Sequence, residues 1–514
     1  MRQGFRHAMA WLHAWSGLVV GWVLFAVFVT GTASFYRAGI TQWMRPELVA
    51  IEADPGRAAD LGAAYLRRQM PDAMGWFIAL PTPEKPAISV MWWKSMEGPF
   101  HEALLDPATG EPTRARETRG GDFLYRFHYE LSMPPTLGRW IVGACTLVML
   151  VALISGIVTH RRIFADFFTF RRGAKSAQRG WLDAHNVAGV LGLPFHLMIA
   201  YTGLTLLATL YMPWGVRTAY KGDEIRYFVE AGLMPELRWT AGRPGTLAPL
   251  GPIVAAAMAR GGEVPEGLSV WNPGDVNAAV VAIFEEPHGL SHHHAQIAFD
   301  GQTGAVLGTN GAVGPATGTG TVMAGLHMGH FAGPVLRLLL VLCGLMGAAT
   351  VATGLVLWAV ARAPKGAAPA GFGLLLVRAL NLGTIAGLPA GIAAYFLANR
   401  LLPVGLSERA SFEVGAFFGV WVLVALYAVL RPGPRAWTQA LGLVGALYLA
   451  VPPVAALTGG LSQPGGALRF LGFDLWMLAL GLGFVFAARK AAARAGAPLR
   501  RPVRGMTGEE ALRA

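Results

Sequence analysis

Eight apolar runs, each long enough to cross a bilayer, dictate the fold class of this 514-residue chain. A helical span takes about 20 apolar residues, and only helices or closed barrels leave no backbone polar group unpaired in hydrocarbon. The runs lie near Ala14–Tyr36, Leu137–His160, Ala184–Tyr211, Pro334–Ala361, Phe372–Leu397, Phe412–Leu430, Ala440–Leu457 and Phe470–Ala488. Composition agrees: 54% of residues are hydrophobic, 14% are charged and the mean hydropathy is +0.45, whereas roughly a quarter of an ordinary globular protein is charged. A soluble enzyme, a disordered chain and a nucleic-acid-binding tail are excluded. The first run follows Arg2 and Arg6, as a signal peptide would. It is too long for a signal core and no small-residue cleavage site follows, so a retained helix is expected. Cys145 and Cys343 sit inside apolar runs without any CxxC or CxxCH motif, which argues against zinc fingers, iron–sulfur clusters and covalently attached haem.

The net charge of +12 reads as topology. Arg161, Arg162, Arg171, Arg172, Lys175 and Arg179 lie between runs two and three, Arg362 and Lys365 after run four, and Arg431 and Arg435 after run six. The tail carries Arg489, Lys490, Arg494, Arg500, Arg501 and Arg504. Every second connection is basic, which predicts that these connections and both termini are cytoplasmic. The expected layout is a first span (1–37), an outer domain (38–136), a second span (137–160), a basic inner loop (161–183), a third span (184–212), a second outer domain (213–332) and a fourth span (333–361). Four further spans (372–488) and a basic tail (489–514) complete it.

The two outer segments look alike. Each has a helical stretch (Ala58–Arg68; Ile253–Ala259) and a strand-like stretch (Pro86–Trp93; Ala278–Glu285), and then HEALLDPATGEP or HAQIAFDGQTGAV. Both end in Asp-x-x-Thr-Gly, a turn signal in which glycine supplies positive φ. One helix plus a small antiparallel sheet, made twice, is expected. The repeat continues into the membrane: Thr30-Gly31 and Thr202-Gly203 follow His13 and His185 by 17 residues. Ser155-Gly156 follows His128 by 27 residues, and Thr353-Gly354 follows His327 by 26. Repeated halves commonly place a site near their interface.

All 13 histidines lie at or before His330, so histidine chemistry belongs to the first four spans and their outer domains. His13, His160 and His185 fall at the cytoplasmic ends of spans one to three, and His128 and His327 just outside spans two and four. His196 lies 11 residues beyond His185, about 16 Å farther across the bilayer on a straight helix and within about 20° of the same face. Neutral imidazole is the commonest metal ligand. Paired imidazoles from different helices can grip a haem iron from both sides, and two depths suit two b-type haems. Gly17, Gly21, Gly189 and Gly192 nearby lack side chains that would block a porphyrin or a close helix approach. Ser291-His292-His293-His294 reads as surface decoration rather than metal capture, since neighbours on a strand point to opposite faces. Arg139, Trp140 and Arg337 near the outer face could meet haem propionates, and topology control is the alternative reading for the basic residues.

The stretches WLHAWSGLVVGWVLFAVFVTG, FHYELSM with GRWIVG and SGIVTHRRIFADFFTF, WLDAHNVAGVLGLPFHLMIAYTGL, and LHMGHFAGPVLRLLLVLCGL with TGLVLW resemble the PepSY-associated transmembrane helix family of bacterial iron-regulated inner-membrane proteins. The outer segments look like PepSY domains. The likeness covers about residues 1–362. It implies a polytopic all-α membrane protein with a haem-binding core from spans one to four and two small α+β periplasmic domains. It also implies ferric-siderophore reductase activity. By motif, His13, His128, His160, His185, His196 and His327 are the positions carried over. An inner haem would use two of His13, His160 and His185, and an outer haem two of His128, His196 and His327; six candidates leave room for a third. The expected substrate is a ferric siderophore or other ferric chelate. No cytoplasmic loop is long enough for a nucleotide-binding fold, so the expected donor is a separate flavin, flavoprotein or quinol. The competing reading is a non-enzymatic transporter or sensor, with Arg378 and Asn381 lining a path. Against it, Arg378 and Glu413 lie near helix ends, where snorkelling suffices.

Overall fold

The structure, a computed structural model, describes residues 2–49, 51–95, 100–160, 177–285, 289–364, 369–460 and 469–495. Among the described residues, seven helices are long and apolar enough to cross a membrane, and a bent helix pair makes an eighth. The chain divides into two compact units, one built mainly from residues 1–363 and the other from the C-terminal helices.

In the first unit the membrane helices are α1 (Arg2–Ser34), α5 (Pro135–Thr159), the pair α6 (Ala177–Leu191) and α7 (Leu193–Leu206), and α10 (Pro334–Ala361). α1 packs against α5 and α10, α10 against α6, and α5 against α7. The pair is bent by 65°. Gly192 and Pro194 explain the bend, since proline removes one helical donor and its ring crowds the preceding turn. This corrects the sequence argument for His185 and His196. They do not share one face of a straight helix, because the axis turns between them.

Outside the spans come α2 (Arg37–Met44), α3 (Pro55–Gln69), β1 (Gly75–Ala79), β2 (Ile88–Trp93), β3 (His101–Leu105) and α4 (Gly120–Glu130). The second outer segment supplies short helical turns at Ala208–Tyr211, Trp214–Ala219 and Glu224–Glu230, then α8 (Leu250–Gly261), β4 (Gly267–Trp271), β5 (Ala279–Ile283), β6 (Gln296–Asp300), β7 (Val306–Thr309) and α9 (Pro315–Met328). The strands form one seven-stranded antiparallel sheet in the order β3-β2-β1-β4-β5-β6-β7. The two repeats therefore do not stand as separate sheets: β1 pairs with β4 from Gly75↔Trp271 to Ala79↔Gly267. Each repeat's first strand covers an edge that would otherwise expose unpaired backbone groups. Ala58, Ala59, Ala63 and Leu66 of α3, with Ile253, Val254 and Ala257 of α8, close over Ile78, Val90, Val270, Val280 and Phe299 of the sheet as one core. Both Asp-x-x-Thr-Gly turns form, with Gly110 at φ +74 and Gly304 at φ +71. Asp106 Oδ1 accepts from the Ala108 N–H, and Asp300 Oδ1 accepts from the N–H groups of Gln302 and Thr303.

The second unit comprises α11 (Phe372–Ile385), α12 (Gly387–Leu401), most of α13 (Arg409–Leu430), α14 (Pro434–Ala455) and α15 (Leu471–Ala495). α14 packs on α12 and α15. Glu413 is fully buried and its Oε1 accepts from Asn399 Nδ2 at 2.8 Å. It is held inside the protein rather than snorkelling, because a buried carboxylate needs a donor more than it needs the interface.

Two outcomes follow for the outer domain. Asp60 on α3 accepts from the N–H groups of Leu250 (2.6 Å) and Gly251 (3.2 Å), so one repeat caps the helix of the other. Asp60→Ala should lower outer-domain stability by about 0.5–2 kcal/mol, the usual loss for an N-terminal cap, and speed amide exchange in the first turn of α8. Asp275 accepts from the N–H groups of Ala241, Arg243 and Asn277 and from the Thr240 hydroxyl, which pushes its carboxyl down to about 2. A depressed carboxyl stabilises the fold above its ordinary value near 3.8 and loses that contribution as pH falls toward 2. Asp275→Asn should remove this acid sensitivity, read as melting temperature against pH between 5 and 2.

Candidate functional site

Four histidines of the first unit come together as two pairs. The ring centroids of His13 on α1 and His185 on α6 are 6.1 Å apart, and those of His128 on α4 and His327 on α9 are also 6.1 Å apart. Each ring is oriented through Nδ1 by another helix. His13 Nδ1 bonds the Ala152 carbonyl on α5 at 2.8 Å, His128 Nδ1 the Val27 carbonyl on α1 at 2.8 Å, and His185 Nδ1 the Thr350 carbonyl on α10 at 2.9 Å. His327 bonds the Ile199 carbonyl on α7 and has Thr202 Oγ1 3.0 Å from its Nδ1. A carbonyl only accepts, so Nδ1 carries the proton in the neutral rings of His13, His128 and His185, and Nε2 keeps the lone pair.

The Thr/Ser-Gly repeat explains how the rings fit. A Cβ on Gly31 would lie 2.6 Å from the His128 ring, one on Gly156 3.1 Å from His13, one on Gly203 2.9 Å from His327 and one on Gly354 3.1 Å from His185. At Gly31 and Gly203 a Cβ would overlap the ring, at Gly156 and Gly354 the ring would have to give by a few tenths of an ångström, and each glycine stands on a different membrane helix from the histidine that it seats. The hydroxyl neighbours take part as well. Ser155 Oγ donates to the same Ala152 carbonyl that His13 uses, and Thr353 Oγ1 lies 3.4 Å from His185 Nδ1. The sequence displayed this repeat, but its meaning needed the pairing of helices. The glycines singled out by proximity in sequence do different work: Gly17 faces open space, Gly21 packs on Leu355, and Gly192 underlies His196.

The other two candidates stay apart from these pairs. His160 caps the end of α5, half-buried, with no hydrogen-bond partner for Nδ1. His196 is 1% exposed, with its ring 5.6 Å from that of Phe28. Of the basic residues invoked for the inner face, Arg161, Arg162, Arg171, Arg172, Lys175, Lys365, Arg500, Arg501 and Arg504 lie outside the described residues. At that face Arg362 stacks over Trp358, 4.1 Å from the ring centroid.

A cavity of about 1170 Å³ runs from the His128–His327 pair to the strands of the outer sheet. Its membrane-side walls are Val27, Gly31, Phe195, Ile199 and Gly203; its outer walls include Phe77, Ser89 and Glu102. Arg37, Arg139 and Arg337 line it between. Arg139 donates to Glu130 at 2.7 Å and stacks over Tyr129, and Arg37 pairs with Asp122 and stacks over Tyr125. Arg37 and its partners escaped sequence reading because they fall just beyond an apolar run, where basic residues usually mark topology.

His292 and His294 also line the cavity. The His292–His294 stretch is not surface decoration. His292 packs edge-on against His294 and His330, and His294 Nδ1 bonds the Phe284 carbonyl. His293 Nε2 lies 2.9 Å from the Gly232 carbonyl. Burial, with the neighbouring imidazoles, pushes His292 down to about 4. Lys85, 2.9 Å from Glu266, outweighs that carboxylate's burial and holds it below the usual range. Among the described residues no three His, Cys, Asp or Glu side chains converge as a metal-binding group. The imidazoles seated on the membrane helices come in twos.

The model of the PepSY-associated TM region matches residues 10–361, which takes in both imidazole pairs and the outer sheet. An uncharacterised protein of Pseudomonas aeruginosa is 30% identical over 366 residues, covering 67% of this chain and 88% of its own length. The chain is a multi-pass membrane protein that belongs to the PepSY-associated transmembrane family.

Proposed function

We propose that the protein is a transmembrane electron conduit that carries one haem b between His13 and His185 and another between His128 and His327, and reduces a ferric chelate in the outer cavity. One observation carries this reading: two imidazole pairs, each 6.1 Å between centroids and each ring locked through Nδ1. His13 with His185, and His128 with His327, would hold the group through their Nε2 lone pairs, and a centroid separation of 6.1 Å leaves room for a metal between the rings. A pair alone would give a metal two protein ligands, which suits a group that brings the rest of its donors with it. Haem b would supply one-electron storage at each pair.

The chain's own residues do the rest. Backbone carbonyls on Nδ1–H fix the tautomers of His13, His128 and His185 and raise the basicity of their Nε2. The glycine seats let each ring lie close to a neighbouring helix. Apolar side chains of α1, α5, α7 and α10 surround the pairs, so burial and hydrogen bonding would set the potentials. Arg139 and Arg337 line the cavity that reaches the outer pair and would supply positive charge for the bound group's carboxylates. The outer cavity, open to imidazoles at one end and capped by the sheet at the other, is where a ferric siderophore or similar chelate would dock. One electron per ferric ion gives Fe(II), which hard oxygen donors hold less well. The donor is separate: a reduced cytoplasmic flavin, a flavoprotein or quinol. In this reading the membrane is a bacterial inner membrane, and the His13–His185 pair and both termini lie on its cytoplasmic side, which the positive-inside pattern of the basic connections supports.

Pigment analysis tests this reading. Purified protein should show a b-type reduced-minus-oxidised spectrum with two haems per chain. His13→Ala or His185→Ala should each remove one haem, and the double variant no more than that. His128→Ala or His327→Ala should each remove the other. A colourless preparation from haem-replete cells would contradict the conduit and favour a binding or transport role for the outer domain. The seats give a second test. Gly31→Val should remove only the outer haem, because its side chain takes the place of the His128 ring, whereas Gly17→Ala, in open space, should keep both.

A further inference from the structure

His196 is built like the paired histidines but faces none of them. Its bond to the Cys343 carbonyl on α10 is made by Nδ1, because its Nε2 is buried and has no hydrogen-bond partner. The ring lies over Gly192, where a Cβ would stand 2.4 Å from Cε1 and 2.6 Å from Nε2, and meets the Phe28 ring edge to face at 5.6 Å. It is 1% exposed. A buried nitrogen lone pair without a donor is costly and calls for an explanation.

Its position supplies one. Along α10, Cys343 lies seven residues from Thr350, whose carbonyl holds His185, about 10 Å toward the outer end. Along α7, His196 lies three residues from Ile199, whose carbonyl holds His327, about 4.5 Å toward the inner end. The lone pair therefore sits in the gap between the two pairs, nearer the outer one. No Asp, Glu, Lys or Arg occurs on α1 between His13 and Ser34, on α5 after Arg139, on α6 and α7 after Asp183, or on α10 after Arg337. The other titratable side chains of those stretches are Cys145, Cys343, Tyr201 and the paired histidines. His196 is the one base there, among the described residues, that stands outside an imidazole pair.

We infer that His196 is a redox-linked proton acceptor: when an electron enters the adjacent outer station, its Nε2 takes a proton from the water of the outer cavity, whose wall includes its ring neighbours Phe28 and Phe195, and it returns that proton when the electron leaves. The inference rests on the conduit reading. Reducing a ferric centre removes one unit of positive charge from a dry interior, and one proton on His196 restores it. The net charge of the bundle then stays constant through the cycle, which matters where charge is poorly screened.

Redox titrations of the purified full chain across pH test this, with pigment stoichiometry measured on the same samples. In the unaltered protein one of the two midpoint potentials should fall by up to about 59 mV per pH unit, the value for one proton per electron, while the other stays flat. His196→Gln and His196→Leu should both keep two haems per chain and flatten the slope. An unchanged slope in both variants, or no pH dependence in the unaltered protein, overturns the proposal. Loss of a haem in both variants overturns it too, by making His196 a ligand. A pigment-free unaltered protein defeats the conduit reading itself and this inference with it.

Discussion

The hydrogen bond from an imidazole Nδ1–H to a backbone carbonyl of another helix is the interaction on which this arrangement depends. It recurs at His13, His128 and His185, while His327 is held on α7 by the Ile199 carbonyl and the Thr202 hydroxyl, and it does two jobs at once. It occupies a carbonyl that would otherwise be shared only within its own helix, tying α1 to α5, α4 to α1, α6 to α10 and α9 to α7. It also fixes which ring nitrogen is left with a lone pair. In the low dielectric of a helical bundle such a bond is strong and an unmade one is expensive, so the fold and the orientation of the rings are specified by the same contacts.

The internal repeat turns one such station into two. His13 and His185 hold equivalent places in the two halves, as do His128 and His327, so each pair faces across the pseudo-symmetric interface. The same interface continues outward as the β1–β4 seam, where the two halves share one sheet. Pairing at both levels makes the halves interdependent: neither could build a complete imidazole pair or cover its own sheet edge alone.

Much of this was legible in the chain. Apolar run length gave the spans, and the matched Asp106-x-x-Thr109-Gly110 and Asp300-x-x-Thr303-Gly304 turns gave the outer repeat, because both signals are local. The histidine positions and the Thr/Ser-Gly dipeptides were equally visible. Which imidazole meets which was not, since it depends on how helices far apart in sequence pack. His196 shows the limit most sharply. Straight-helix arithmetic put it on the face of His185, but Gly192 and Pro194 turn the axis by 65° between them. The seam between β1 and β4 was hidden for a similar reason, as an alternating strand states which face is buried and not which neighbour it takes.

The most direct test of the central claim is the low-temperature electron paramagnetic resonance spectrum of the oxidised, purified protein. Two low-spin ferric haem signals of bis-imidazole type, one lost in His13→Ala and the other in His327→Ala, are the result this account predicts. A spectrum with no haem signal, or with high-spin haem unaffected by either substitution, would contradict it.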